Sequence, residues 1–332
     1  MARLSCARRA APSKRRLDVS GLHILHGWRN LEPEARGASV ALGNFDGVHR
    51  GHRQVIAAAA KAAAALRAPL AVISFEPHPR RWFNPAAEPF RLMNTDQLGR
   101  VLESLGVDRL HVLPFDAQMA HLSDEAFVRD VLWAGLGVRH VSAGFDVTFG
   151  ARRTGSPQRL QAFGESFGFG VTIASPIRDN DGGKCSSSAI REALREGRPD
   201  HAARLLGRPF AVEGVVVHGN QLGRTIGFPT ANIMLDDYVR PAAGIYATRT
   251  RLADGREVPG VGYFGSRPTV NGVDEKLEVN LFDFDEDLYG QTLEVDLLAL
   301  IRGDEKFDTL EAMVVQMKKD CAAARAMLMP EI

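Results

Sequence analysis

The chain has 332 residues, 45% of them apolar and 24% charged, more than one hydrophobic core usually absorbs, which points to two domains of roughly 100–200 residues each. Its 41 basic and 40 acidic side chains leave a formal charge of +1, too weak a field to gather a nucleic-acid backbone or an anionic lipid surface. Cys6, Cys185 and Cys321 are far apart and form no CxxC pair, which argues against a disulfide framework or a thiolate zinc site and for a reducing, cytoplasmic setting. The longest apolar stretch, Val55 to Phe75, is broken by Lys61, Arg67 and Pro69, so no membrane span is expected.

Met1 to Arg16 carries six Lys or Arg, no acid and no apolar run. Residues 1–20 are read as a basic, disordered extension in preference to a targeting presequence. From Ser39 onward, short β-branched runs alternate with longer segments of helical spacing, the pattern of βαβ units and a parallel sheet. The strands are expected at Ser39–Leu42, Leu70–Phe75, Arg109–Leu113, Arg139–Ala143 and Gly170–Ala174, each apolar enough to be covered on both faces. Helices are expected over Arg53–Leu66, Thr95–Leu105, Ser123–Trp133 and Pro157–Phe167. The last has Ser156 as N-cap, Pro157 at its first position and Gly168 beyond its end.

A turn-rich loop, Asp179 to Gly183, precedes three serines and a helix that runs through Glu196. A short helix, Asp200–Leu206, ends at Gly207, where the domain boundary is placed: 21–206 form one domain and 207–332 the other. Beyond Phe210 the pattern changes to strands, Val212–His218, Ile245–Arg251, Leu277–Phe282 and Leu293–Ile301, punctuated by turn pairs such as Asp254-Gly255 and Asn271-Gly272. Leu310, Met313, Val314, Met317 and Cys321 form one helical stripe with Lys318, Lys319 and Asp320 off it. The second domain is therefore a compact β-domain, and the final helix packs on its barrel or sheet.

Ser39–Leu42 runs into Gly43-Asn44-Phe45-Asp46-Gly47-Val48-His49-Arg50-Gly51-His52 and then into a helix, and ligands of open α/β sheets bind at such strand edges. Gly47 and Gly51 allow close backbone approach, the helix N-terminus offers N–H groups to phosphate, and His49 and His52 can donate to developing negative charge. On their own these residues also fit a glycine turn with two surface histidines; a metal site would need a third ligand. In Lys184-Cys185-Ser186-Ser187-Ser188-Ala189-Ile190-Arg191, two cations and several hydroxyl donors at a helix start suit the phosphates that leave as pyrophosphate. A serine-capped helix with solvated bases is the plainer alternative. In the second half, the glycines of Gly219-Asn220-Gln221-Leu222-Gly223-Arg224-Thr225-Ile226-Gly227-Phe228-Pro229-Thr230-Ala231-Asn232 permit a tight loop near phosphate, and Thr230 and Asn232 offer the oxygens that Mg²⁺ prefers.

The first histidine-glycine run and the serine loop are similar to the two marks of the nucleotidyltransferase superfamily. Together with Phe75-Glu76-Pro77-His78-Pro79 and Gly144-Phe145-Asp146-Val147-Thr148-Phe149-Gly150, in that order, they make the first half resemble the FAD synthetase module of prokaryotic bifunctional riboflavin kinase/FAD synthetases. That resemblance implies a Rossmann-like α/β fold. ATP would lie at Gly43, Asn44, Phe45, Asp46, Gly47, Gly51, Lys184, Ser186, Ser187, Ser188 and Arg191, and the flavin near Phe75, Pro77, His78, Pro79 and Asp146. The second half resembles the riboflavin kinase family through its GxxxGRTxGFPTAN stretch, with Leu277-Glu278-Val279-Asn280-Leu281-Phe282-Asp283-Phe284, Tyr289-Gly290 and Arg302…Lys306-Phe307 following, which implies a mainly-β, Greek-key barrel-like fold with a closing helix.

There the resemblance implies ATP at Gly219, Gly223, Arg224, Thr225 and Gly227, Mg²⁺ on Thr230 and Asn232, and Glu278 as general base on the ribityl 5′-hydroxyl. Read alone, Glu278 is an ordinary outward-facing acid on a strand. Val147, Lys184, Ser188, Asn220, Tyr263 and Asn280 depart from the family pattern, which bears on rates and affinities while the phosphate and base positions stay filled.

The function expected is therefore phosphorylation of riboflavin to FMN by the second domain and adenylylation of FMN to FAD, with release of pyrophosphate, by the first. Riboflavin, FMN, FAD and ATP are the expected partners, with neither nucleic acid nor membrane, and the sequence leaves a homo-oligomer open. The rival readings are an enzyme with one degenerate half, a flavin- or nucleotide-binding regulator without turnover, and a nucleic-acid enzyme of the tRNA synthetase type. Near-zero net charge argues against the last.

Overall fold

The computed structural model describes residues 21–179, 182–219, 223, 226–269 and 272–329. The expected extension at 1–20, together with Asn220, Arg224, Thr225 and Asn271, falls outside the described residues.

Six parallel strands, β1 (His23–His26), β2 (Ser39–Leu42), β3 (Leu70–Glu76), β4 (Arg109–Pro114), β5 (His140–Gly144) and β6 (Gly170–Ala174), form a sheet in the order β1-β4-β3-β2-β5-β6. Val40 and Leu42 enter the core on one face and Ala41 the core on the other, which is why these strands read as unbroken apolar runs. Helices cover both faces: α1 (Arg50–Leu66), α2 (Pro79–Phe83), α3 (Thr95–Ser104), α4 (Ala117–His121), α5 (Asp124–Ala126) and α6 (Pro157–Phe167). α6 begins on Ser156, whose hydroxyl accepts from the Arg159 N–H, and stops at Gly168 with φ +77°, as the sequence predicts.

β1 was not expected. Only two apolar residues lie between its histidines, too few for a strand signal, and pairing with β4 creates it at the sheet edge. The helix expected over Ser123–Trp133 continues as a π-helix from Phe127 to Gly135. Its buried residues, Phe127, Val128, Val131 and Leu132, are spaced in a way that does not separate the two windings.

α7 (Ser187–Arg195) and α8 (Pro199–Leu206) lead into six antiparallel strands, β7 (Phe210–Val217), β8 (Ala231–Met234), β9 (Gly244–Arg251), β10 (Glu257–Thr269), β11 (Gly272–Leu281) and β12 (Thr292–Gly303), closed into a barrel in the order β10-β11-β8-β7-β12-β9. Closure leaves no open sheet edge. β10 is a second correction, because Pro259, Gly260, Gly262 and Gly265 interrupt the strand signal and no strand is expected there. The glycines instead let the backbone pass close to neighbours: a Cβ on Gly260 would lie 2.5 Å from the Asn280 carbonyl oxygen. β8 is the third, since the loop motif ends at Asn232, two residues inside it, and no strand is expected there.

The side chains of α7 and α8 share one hydrophobic cluster with the barrel interior, Ile190, Leu194, Leu205 and Leu206 with Phe210, Ile233 and Val295. A helix α9 (Leu310–Leu328) closes the barrel, packing Ala324 with Ala247 and Phe282. Two expectations for it change. Leu310 is 47% exposed, and Asp320, placed off the stripe, is 3% exposed because Arg302 donates to it at 2.9 Å and Gln316 at 2.9 Å. An acid can face a barrel when a guanidinium meets it there. No helix among the described residues is long and apolar enough to cross a membrane.

Candidate active site

The chain runs from β2 to β3 and β4 on one side, then returns to place β5 and β6 on the other. Ligands of open α/β sheets bind where the strand order reverses in this way. A cavity of about 1260 Å³ opens there, lined by Leu42 to Asp46 after β2 and Gly144 to Gly150 after β5. That exceeds the roughly 300–1,000 Å³ of a pocket for one small molecule. His49, Gly51 and His52 line it, as do Phe75, His78, Pro79, Lys184, Ser186, Ser187, Ser188 and Arg191. Four stretches, two of them joined across 141 residues of sequence by Ser187 and Asp46, thus meet at one cavity. Gly47 and Pro77 lie off its wall.

His49 is the N-cap of α1, its Nδ1 accepting from the His52 N–H at 3.3 Å. That bond leaves the proton on Nε2, so the ring is a neutral donor. Its ring stacks on that of His52, with centroids 3.6 Å apart. Burial, then Lys184 and Arg191, pull the His49 imidazole down to about 4, and burial with His49 lowers His52. Gly51 makes room, because a Cβ there would lie 3.1 Å from the His49 ring.

The serine loop divides its work. Ser186 caps α7 by accepting from the Ala189 N–H at 3.2 Å, and Ser187 donates to the Asp46 carbonyl at 2.9 Å. Arg191 is held by the Asp46 carboxylate at 2.6 Å and the Phe90 carbonyl at 2.7 Å. Lys184 is paired with Asp146 and stands 4.8 Å from the Phe145 ring centroid. Sequence reasoning missed part of the lining. Phe83 and Phe115 meet edge to face at 5.7 Å, Phe115 meets Phe75 at 5.8 Å, and Arg80, Arg152 and Arg153 add positive charge. Arg80 follows directly on Phe75–Pro79, and Arg152 and Arg153 follow Gly144–Gly150 with one residue between, which was the available signal; Phe83 and Phe115 sit in no motif.

On the barrel, Glu278 of β11 lies in register between Asn232 of β8 and Tyr263 of β10. Leu277 and Val279 are buried inside, so Glu278, half-buried, stands on the outer face with its row. Asn232 is 8% exposed, its amide donating to the Thr230 carbonyl at 3.4 Å. A Cβ on Gly219 would lie 2.6 Å from that amide, so glycine there lets the loop close on it. Asn280 donates to the Pro229 carbonyl at 2.7 Å, tying β11 to the same loop. Gly223 accepts from the Phe228 N–H at 2.8 Å, and His218, after β7, stacks on Tyr289 at 3.9 Å. Arg224 and Thr225 fall outside the described residues.

The parallel sheet with its histidine and serine loops, beside a barrel carrying a glycine-rich loop and one acid, defines a two-domain, nucleotide-using transferase. Residues 31–189 match the FAD synthetase family and residues 206–328 the riboflavin kinase family. The chain is 40% identical over 310 residues to the bifunctional riboflavin kinase/FMN adenylyltransferase of Haemophilus influenzae, covering 92% of this chain and 99% of that one. It is 41% identical to that of Pseudomonas fluorescens, covering 93% and 99%, and 38% identical to that of Escherichia coli K12, covering 92% and 97%. The chain belongs to the bifunctional riboflavin kinase/FMN adenylyltransferase family. A crystal structure titled macrolide-efflux protein, from Streptococcus pneumoniae, matches with a TM-score of 0.82 and 33% identity over 92% of this chain and 99% of that one.

Proposed function

We propose that the chain makes FAD from riboflavin in two ATP-dependent steps, phosphorylation to FMN on the barrel and adenylylation of FMN in the sheet domain, and we assign the residues of each. The observation that carries the reading is the convergence of all four N-terminal motifs on one cavity of a size for a nucleotide and a flavin together.

In adenylyl transfer the FMN phosphate is already an anionic nucleophile, so the task is to stabilise charge around the α-phosphate. His49 would donate from Nε2, with His52 beside it. Lys184, Ser186, Ser187 and Ser188 would hold the leaving pyrophosphate, and Arg191 with Asp46 would fix the floor beneath Gly43, Asn44 and Phe45. The flavin would lie against Phe75, His78 and Pro79, with Asp146 at the cavity mouth.

In the kinase step Glu278 would take the proton of the ribityl 5′-hydroxyl as it attacks the γ-phosphate. The donors there fit Mg²⁺. Thr230 and Asn232 bring hard oxygens, which suit an ion held mainly by phosphates and water. Bound there, Mg²⁺ would neutralise the β- and γ-phosphate oxygens. We place the domain boundary at 206/207, where α8 ends, and the chain in the cytoplasm, supported by the free thiols Cys185 and Cys321.

Incubation with riboflavin, ATP and MgCl₂, followed by chromatography of the flavins over time and repeated from FMN, tests the reading. FMN first and FAD later is the expected course. FMN without FAD would mean a degenerate N-terminal site, and no conversion would favour a binding protein.

A further inference from the structure

We propose that Arg208, in the turn joining α8 to β7, is a positioning residue for FMN adenylylation, bracing the loop between β2 and α1 from behind. The inference rests on the proposed reading of that loop as the ATP phosphate site. Arg208 falls after the residues that match the FAD synthetase family and within those that match riboflavin kinase. A side chain of the second module thus reaches into the first.

Its Nη2 donates to the Gly47 carbonyl at 2.9 Å, and Arg53 Nε donates to the next carbonyl, that of Val48, at 3.4 Å. The loop needs such restraint. Phe45 and Val48 have φ +50° and +40°, with Gly47 at +88° between them. Left-handed backbone is unfavourable for a bulky or β-branched residue and persists only where the surroundings over-determine it. Packing adds to the brace, since a Cβ on Gly47 would lie 2.9 Å from a Leu92 methyl and 3.2 Å from one of Leu206. Two carbonyls turned onto guanidiniums are two negative dipole ends kept away from a cavity that gathers phosphate.

Arg208 Nη1 is buried without a hydrogen-bond partner among the described residues. A buried cation with an unmet donor is costly, more than a linker residue requires. Burial and Arg53 bring the guanidinium down to about 10, still charged at neutral pH. Its charge also reaches His49, whose imidazole it helps keep neutral.

The test uses full-length Arg208→Ala, Arg208→Gln and Arg208→Lys, each assayed for FMN adenylylation and riboflavin phosphorylation in the same preparation. Loss of a buried charged hydrogen bond should lower kcat for FAD formation in Arg208→Ala about tenfold or more and raise KM for ATP. KM for FMN and the rate of riboflavin phosphorylation should stay within about twofold. Arg208→Lys, which keeps a cationic donor, should recover most of the loss and Arg208→Gln less. Unchanged adenylylation in Arg208→Ala would overturn the inference alone, as would equal loss of both activities in all three variants. A wild-type protein that makes no FAD from FMN would overturn the reading of the site and this inference with it.

Discussion

Asp46 and Arg191 stand 145 residues apart in sequence yet form one buried ion pair, Nη2 to Oδ2 at 2.6 Å with side chains 3% and 9% exposed. Burial lifts the Asp46 carboxyl above its ordinary range and lowers the Arg191 guanidinium, while the charge of each partner opposes the shift in the other. Asp46 also accepts from the Leu92 N–H at 2.9 Å, so the pair binds the loop after β2, the 90–92 segment and α7 into one unit. Removing one partner leaves the other charge buried alone, at a cost of about 3–5 kcal/mol. Asp46→Ala should therefore lower the unfolding free energy by that order in denaturant titrations and abolish FAD formation. The double variant Asp46→Ala/Arg191→Met should be more stable than Asp46→Ala. Equal stability of the single variant and wild type would show that the pair contributes nothing.

His49 has two tasks that substitution can separate. His49→Ala removes the Nε2 donor and the cap of α1, so FAD formation should fall about 10²–10³-fold and stability by about 1 kcal/mol. His49→Asn restores a good capping side chain, so its melting temperature should return towards wild type while adenylylation stays low. FMN formation should be unaffected in both. Recovery of FAD formation in His49→Asn would assign His49 to capping only.

The sequence announced the sheet through apolar runs, and β2 and β6 fall where those runs predict; β2 is covered on both faces, whereas β6, at the sheet edge, leaves Gly170 and Thr172 exposed. It did not announce β10, because a glycine that permits close strand contact and a glycine that turns the chain look alike until the partner strand is known. The same limit applies at the site. Motifs name Asp46 and Arg191 as neighbours of ATP, but only the fold shows that they meet each other. Phe83, Phe115 and Arg208 stand in no motif and reach the cavity or its loop through tertiary packing. Asp320 was misplaced for a related reason, since helical spacing cannot foresee that Arg302 waits on β12.

Glu278 faces outward in a row with Asn232 and Tyr263, beside the loop that Asn280 ties down. Glu278→Gln keeps the shape and removes the base. Riboflavin phosphorylation should fall about 10²–10⁴-fold, while FAD formation from supplied FMN continues at the wild-type rate. Thr230→Ala should instead raise the MgCl₂ concentration needed for half-maximal phosphorylation. Full kinase activity in Glu278→Gln would return that carboxylate to the class of ordinary surface acids.

His111 lies in β4 at 1% exposure, with Nδ1 unpartnered among the described residues, and burial, aided by Arg109, pulls its imidazole from 6.5 to about 4. Above pH 6.5 it is neutral in both the folded and unfolded chain and adds no pH dependence. Between pH 6.5 and about 4 the unfolded chain takes up a proton that the fold refuses, so stability falls as pH drops, and below that window the loss levels off. At roughly 1.4 kcal/mol per pKa unit, His111 alone would remove about 3 kcal/mol across the window. His49 and His78, pulled to about 4 and about 3, act in the same direction. His111→Leu should therefore lose less stability than wild type when unfolding is measured at pH 5 in place of pH 7.5, with a difference of about 2 kcal/mol. Identical pH slopes for the two proteins would mean that the fold accepts the proton on His111 as readily as water does.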